Sequence, residues 1–146
     1  MNKALVEIYP DKTQKQLLFD TSKLFMEAID LLIPEYEKNI DIYGYRLLKQ
    51  HPLPSVLKSS ASVEARFTVK NGLNDFTNLV LAYPWKGYYI SKTGFISLPV
   101  WKEGKCCRIK ISCDIKKLEY QGYMRIKHHK KSDEWIAYIN QREGGN

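Results

Sequence analysis

Apolar residues recur along this chain with a period of two, then near 3.6, then two again, and that order limits the folds open to it. Ala4-Leu5-Val6-Glu7-Ile8-Tyr9 alternates as a strand and is closed by Pro10. Asp11 and Gln14 form a capping pair: a carboxylate for the first-turn amides and a side-chain amide reaching back. Leu17, Leu18, Thr21, Leu24, Phe25, Ala28, Ile29 and Leu32 then lie on one helical face, and Pro34, which brings no amide to the ladder, is predicted to end or kink that helix. A weaker helix is predicted over Glu35–Lys49, with Tyr36, Ile40, Tyr43 and Leu47 in phase and Gly44 opposing it. After the rigid His51-Pro52-Leu53-Pro54 break, Ser55 can cap a further helix whose Ala65, Val69, Leu73, Phe76 and Val80 step by threes and fours.

Beyond Tyr83-Pro84-Trp85 the period returns to two. Tyr88 to Ser91 and Phe95 to Val100 flank a Lys92-Thr93-Gly94 turn. From Lys105 to Cys113, Cys107, Ile109, Ile111 and Cys113 alternate with Cys106, Arg108, Lys110 and Ser112. Gly122 to His128 sets Met124 and Ile126 against Tyr123, Arg125 and Lys127, and Trp135 to Ile139 is the last strand. A lone first strand needs partners, and the ones available arrive about eighty residues later. The expectation is an α+β fold: a small antiparallel β-barrel or sheet (residues 1–10 plus 84–146) with a helical insertion (residues 11–83) after the first strand.

Charge follows the second half of this plan. Between Trp101 and Lys131, Lys102, Lys105, Arg108, Lys110, Lys116, Lys117, Arg125, Lys127, Lys130 and Lys131 face only Glu103, Asp114 and Glu119, which accounts for the whole net charge of +7. A cationic surface of this kind attracts polyanions, because each phosphate it neutralises releases condensed counterions. If the two basic strands pair, Arg108, Lys110, Arg125, Lys127 and Tyr123 tile one exposed face, with Tyr123 available to stack on an unpaired base or ribose. Lys105 begins one of these strands, and the pairs Lys116-Lys117 and Lys130-Lys131 fall in turns that would rim the same sheet.

Other chemistries find little support. Three cysteines, two of them adjacent, do not make a disulfide framework, and Cys106, Cys113, His128 and His129 lack zinc-ligand spacing, so no cofactor or metal is expected. Glu27 and Asp30 lie away from the apolar helical face, no Ser sits in a nucleophile elbow, and no phosphate loop is present; catalysis is not expected. The most apolar run, Leu24 to Ile33, contains Glu27 and Asp30 and falls short of the roughly twenty residues of a membrane span. With no secretory pattern at the start, a soluble cytoplasmic protein is expected.

Several segments together resemble a known family. Ile8-Tyr9-Pro10-Asp11-Lys12-Thr13-Gln14-Lys15-Gln16-Leu17-Leu18, then Leu53-Pro54-Ser55, Tyr83-Pro84-Trp85-Lys86, Gly94-Phe95-Ile96-Ser97-Leu98-Pro99 and Glu134-Trp135-Ile136-Ala137 follow the order of the first half of transposon-encoded TnpB (OrfB) proteins. The resemblance implies a wedge barrel with an inserted recognition helical domain, as in the related compact type V CRISPR effectors. It also implies that the barrel grips a guide RNA scaffold while the helices help recognise target DNA and the guide–target duplex. The RuvC-like carboxylates and the four-Cys zinc ribbon of the family's nuclease half are not in this sequence, so RNA-guided cleavage is not implied.

The sequence thus points to a non-catalytic module binding structured guide-type RNA or an RNA–DNA hybrid through Lys105, Arg108, Lys110, Lys116, Lys117, Tyr123, Arg125, Lys127, Lys130 and Lys131. The alternative is a mobile-element or phage interaction protein whose basic face docks on an acidic protein or on a separately encoded nuclease subunit.

Overall fold

The first strand, β1 (Lys3–Tyr9), lies in the middle of a seven-stranded antiparallel sheet in the computed structural model, which describes residues 3–72, 78–114, 118 and 121–141. It is followed by α1 (Lys12–Lys38), α2 (Gly44–Leu47), α3 (Ser55–Asn71), β2 (Leu79–Tyr83), β3 (Tyr89–Ile90), β4 (Phe95–Lys102), β5 (Lys105–Cys113), β6 (Gln121–His129) and β7 (Glu134–Gln141). The strand order is β2-β6-β7-β1-β5-β4-β3, so β1 pairs with β7 on one side and β5 on the other. The fold is α+β with the helices inserted after the first strand, as the two changes of period require.

The sheet curls on itself. β2 and β4 stand five places apart in the ladder, yet Tyr83 Oη of β2 donates to the Pro99 carbonyl of β4 at 2.7 Å, and α1 packs against both strands. Pro99 is tolerated because β3 pairs only with Ile96 and Ser97, leaving the rest of β4 an edge where no amide is needed. Past Pro99, α1 takes over that edge: Thr21 Oγ1 accepts the Trp101 amide at 3.0 Å and donates to the Leu17 carbonyl at 2.7 Å. Val6, Ile8, Ile96, Leu98, Ile111, Met124, Ile126, Ala137 and Ile139 line the inside with Leu18, Phe25, Ala28, Ile29 and Leu32 of α1. Each large side chain so buried contributes about 1.5–3 kcal/mol.

α1 begins with the expected capping box: Asp11 Oδ1 accepts the Gln14 amide at 2.8 Å, and Gln14 Oε1 accepts the Asp11 amide at 3.0 Å. Three expectations for the helical block need correction. Pro34 does not end the helix, which runs on to Lys38, and the segment predicted as a second helix supplies only the last turn of α1 and the short α2. Gly44 is needed there because a Cβ would collide with the Tyr36 hydroxyl. α3 stops at Asn71 with Gly72 in the left-handed region (φ 65°), and Val80, predicted to extend the helical face, lies in β2, so the sheet begins at Leu79 rather than at residue 84. β2 is buried along its whole length, which removes the alternation that would have marked it as a strand. Leu73 and Phe76 of the same predicted face lie outside the described residues.

Candidate nucleic-acid interface

The two basic strands do not pair. β7 and β1 stand between β5 and β6, so the expected continuous face of Arg108, Lys110, Tyr123, Arg125 and Lys127 does not form. Alternation does place the named residues on the outside: Arg108 and Lys110 are exposed, and Tyr123 and Arg125 point away from buried Met124 and Ile126.

On β6 that outside is covered. Glu64 of α3, itself buried, accepts from Tyr123 Oη at 2.7 Å and from Arg125 Nη2 at 2.9 Å. Burial first, and then the Glu64 charge, hold the Tyr123 hydroxyl well above the ordinary phenol range. Tyr123 is therefore not presented to a base, and the Arg125 charge is matched within the fold. Lys127 is half-buried, its ammonium 5.5 Å over the Tyr138 ring.

The exposed cations gather around the start of α1. β1 ends at Tyr9, paired with Ser112, so Lys110 and Arg108 lie past its end, beside the helix that continues the chain. There Gln14 Nε2 donates to the Lys110 carbonyl at 2.6 Å. On the helix's other flank Lys15 meets Asp133 in the β6–β7 turn at 3.5 Å, and Asp133 also holds His128 Nε2 at 2.7 Å. The hydrogen bond from His128 and the nearby Lys15 charge keep the Asp133 carboxyl below its usual range. Gln14 and Lys15 are neighbours, so one helical turn ties both basic segments together. Exposed Lys12, Arg108, Lys110, Lys130 and Lys131 result, with Lys105 farther out at the β4–β5 turn. Arg108 is steadied by Ser97 (Nη1 to Oγ, 3.1 Å), and Lys110 sits 4.9 Å over the Phe95 ring. Lys116 and Lys117 lie outside the described residues.

Lys12 and Lys15 were missed because they fall in the part of the chain whose charges cancel, and only strand register brings them beside the basic segment. Of the cysteines, Cys113 is buried, Cys107 half-buried and Cys106 exposed; burial pushes the Cys113 thiol up. Among the described residues, no group of three or more His, Cys, Asp or Glu side chains could hold a metal ion, and no helix is long and apolar enough to cross a membrane. No protein-family model and no curated protein matches the chain.

Proposed function

We propose that this protein is a non-catalytic, cytoplasmic nucleic-acid-binding module that holds the backbone of structured RNA, or of an RNA–DNA hybrid, on the basic surface around the first turn of α1. The observation that carries this reading is the pair of ties from Gln14 to Lys110 and from Lys15 to Asp133, which turns two separate basic segments into one surface. Lys and Arg at this density act on phosphates sequence-independently, which suits a folded RNA recognised by shape. The TnpB-like order of segments favours a guide-type RNA scaffold as the ligand.

The test is filter binding of a folded RNA hairpin across a salt series, with the native chain and with a variant carrying Arg108→Ala, Lys110→Ala, Lys130→Ala and Lys131→Ala. Native affinity should fall by roughly 0.7–0.9 log units per log unit of salt for each phosphate contacted, and the variant should lose up to about three units of that slope. A flat salt response, or equal binding by the two proteins, would remove the proposal. Binding to an acidic protein in place of RNA would favour the docking alternative.

A further inference from the structure

Next to the basic surface, the outer face of the sheet carries aromatic rings, Tyr9 exposed and Phe95 and Tyr138 half-buried. Tyr9 of β1 and Phe95 of β4 are both cross-strand partners of Ser112 on β5, so the two rings share one row with a small side chain between them. Two inter-strand spacings separate them, about 10 Å. On the same face, Leu5 lies opposite Tyr138 of β7. Leu5 is 47% exposed and Tyr9 48%, so the middle of this sheet turns an apolar, aromatic strip toward solvent.

Three features suit this strip to bases and not to a duplex backbone. The rings are held in place: Tyr9 Oη donates to Asp114 Oδ1 at 2.7 Å, and the Tyr138 hydroxyl is 2.9 Å from His129 Nε2, so little rotamer freedom is lost when a ligand stacks. Lys110 lies over the Phe95 ring and Lys127 over the Tyr138 ring, so each long side chain swings off its ring face when a base stacks there and is then within reach of that nucleotide's phosphate. Carboxylates also lie on this face. Glu7 falls between Leu5 and Tyr9, and the Asp114 amide extends the ladder to the Glu7 carbonyl. A duplex laid over them would bring phosphates against two negative groups, whereas an unpaired base would offer them an exocyclic amine.

We infer that Tyr9, Phe95 and Tyr138 form a stacking platform for unpaired bases, so that the bound nucleic acid includes a single-stranded segment running from the basic surface across the sheet. This rests on the nucleic-acid reading above and specifies what that surface selects.

The experiment compares two fluorescein-labelled probes by anisotropy: an unstructured pyrimidine RNA of about twelve nucleotides and a blunt RNA duplex with the same number of phosphates. Tyr9→Leu and Tyr138→Leu should each weaken single-strand binding by about five- to one-hundred-fold and leave duplex binding within about twofold. Tyr138→Phe, which keeps the ring, should retain affinity. Tyr9 is exposed, so Tyr9→Leu is expected to fold; its melting curve checks this. Unchanged single-strand binding by Tyr9→Leu, or an equal loss for both probes, overturns the platform. If in addition the Arg108/Lys110/Lys130/Lys131 variant loses binding, the backbone reading survives alone. If the native chain binds neither probe, both fail.

Discussion

β5 and β6 carry the same pattern, two cations at alternate positions (Arg108 and Lys110; Arg125 and Lys127) interleaved with apolar residues, yet they end in different environments. On β5, Arg108 and Lys110 are exposed, Arg108 hydrogen-bonded to Ser97 and Lys110 lying over the Phe95 ring. On β6, Tyr123 and Arg125 face Glu64, which α3 brings from about sixty residues away in sequence. Alternation decides the face of the sheet on which a side chain stands. Whether that face meets water or a helix depends on packing of the inserted block, and here the helix brings a counter-charge. Equal sequence patterns therefore give one strand open to a ligand and one that locks a helix to the sheet.

The largest effect should come from removing that lock. Glu64→Ala deletes the carboxylate shared by Tyr123 and Arg125 and removes that acceptor from two largely buried donors. A loss of about 1–3 kcal/mol is expected, because buried donors that lose an acceptor forfeit more than the hydrogen bonds contribute. Urea denaturation measures it. A loss below about 0.5 kcal/mol, the level of an ordinary surface substitution, would mean that α3 is held by other contacts.

The opposite pattern is expected on β5. Arg108→Ala with Lys110→Ala should shift unfolding by no more than about 0.5 kcal/mol per site. The same pair should reduce the salt slope of RNA binding by about 1.5 units. Arg125→Ala should do the reverse, lowering stability while leaving the slope of the folded protein nearly as it was. If Arg125→Ala reduces RNA affinity as much as the β5 pair, the distinction between the two strands collapses.

Much of this fold can be read from local pattern. The capping box at Asp11 and Gln14, the apolar face of α1 and the limits of β5 follow from residue spacing alone, because each is decided within a few residues. Two features could not be read that way. Val80 continues a helical spacing by coincidence, and β2 has both faces buried, so nothing local separates it from a buried helix. The order that inserts β7 and β1 between β5 and β6 is set by partners more than a hundred residues apart. The candidate site shares that history. Its cations were legible on β5 and in the β6–β7 turn, whereas the part played by α1 emerges only when register places Gln14 against Lys110.

The smallest expected effect concerns a second pairing common to the two sides. Tyr9 with Asp114 and Tyr123 with Glu64 are both phenol–carboxylate hydrogen bonds of 2.7 Å, one in water and one beneath α3. The Tyr9 hydroxyl is pushed up from 10.0 to about 12, chiefly by its hydrogen bond to Asp114. A raised folded value means that this contribution to stability is complete below pH 10 and is lost as pH rises through about 12. Asp114→Asn should return Tyr9 toward its ordinary value, seen as earlier phenolate absorbance in an alkaline titration, with unfolding in urea at neutral pH nearly unchanged. Tyr123, held up mainly by burial, should stay protonated until the protein unfolds. If Asp114→Asn leaves the titration unaltered, the exposed hydrogen bond contributes nothing measurable to holding the Tyr9 ring. The platform would then have to be explained by packing against its strand neighbours alone.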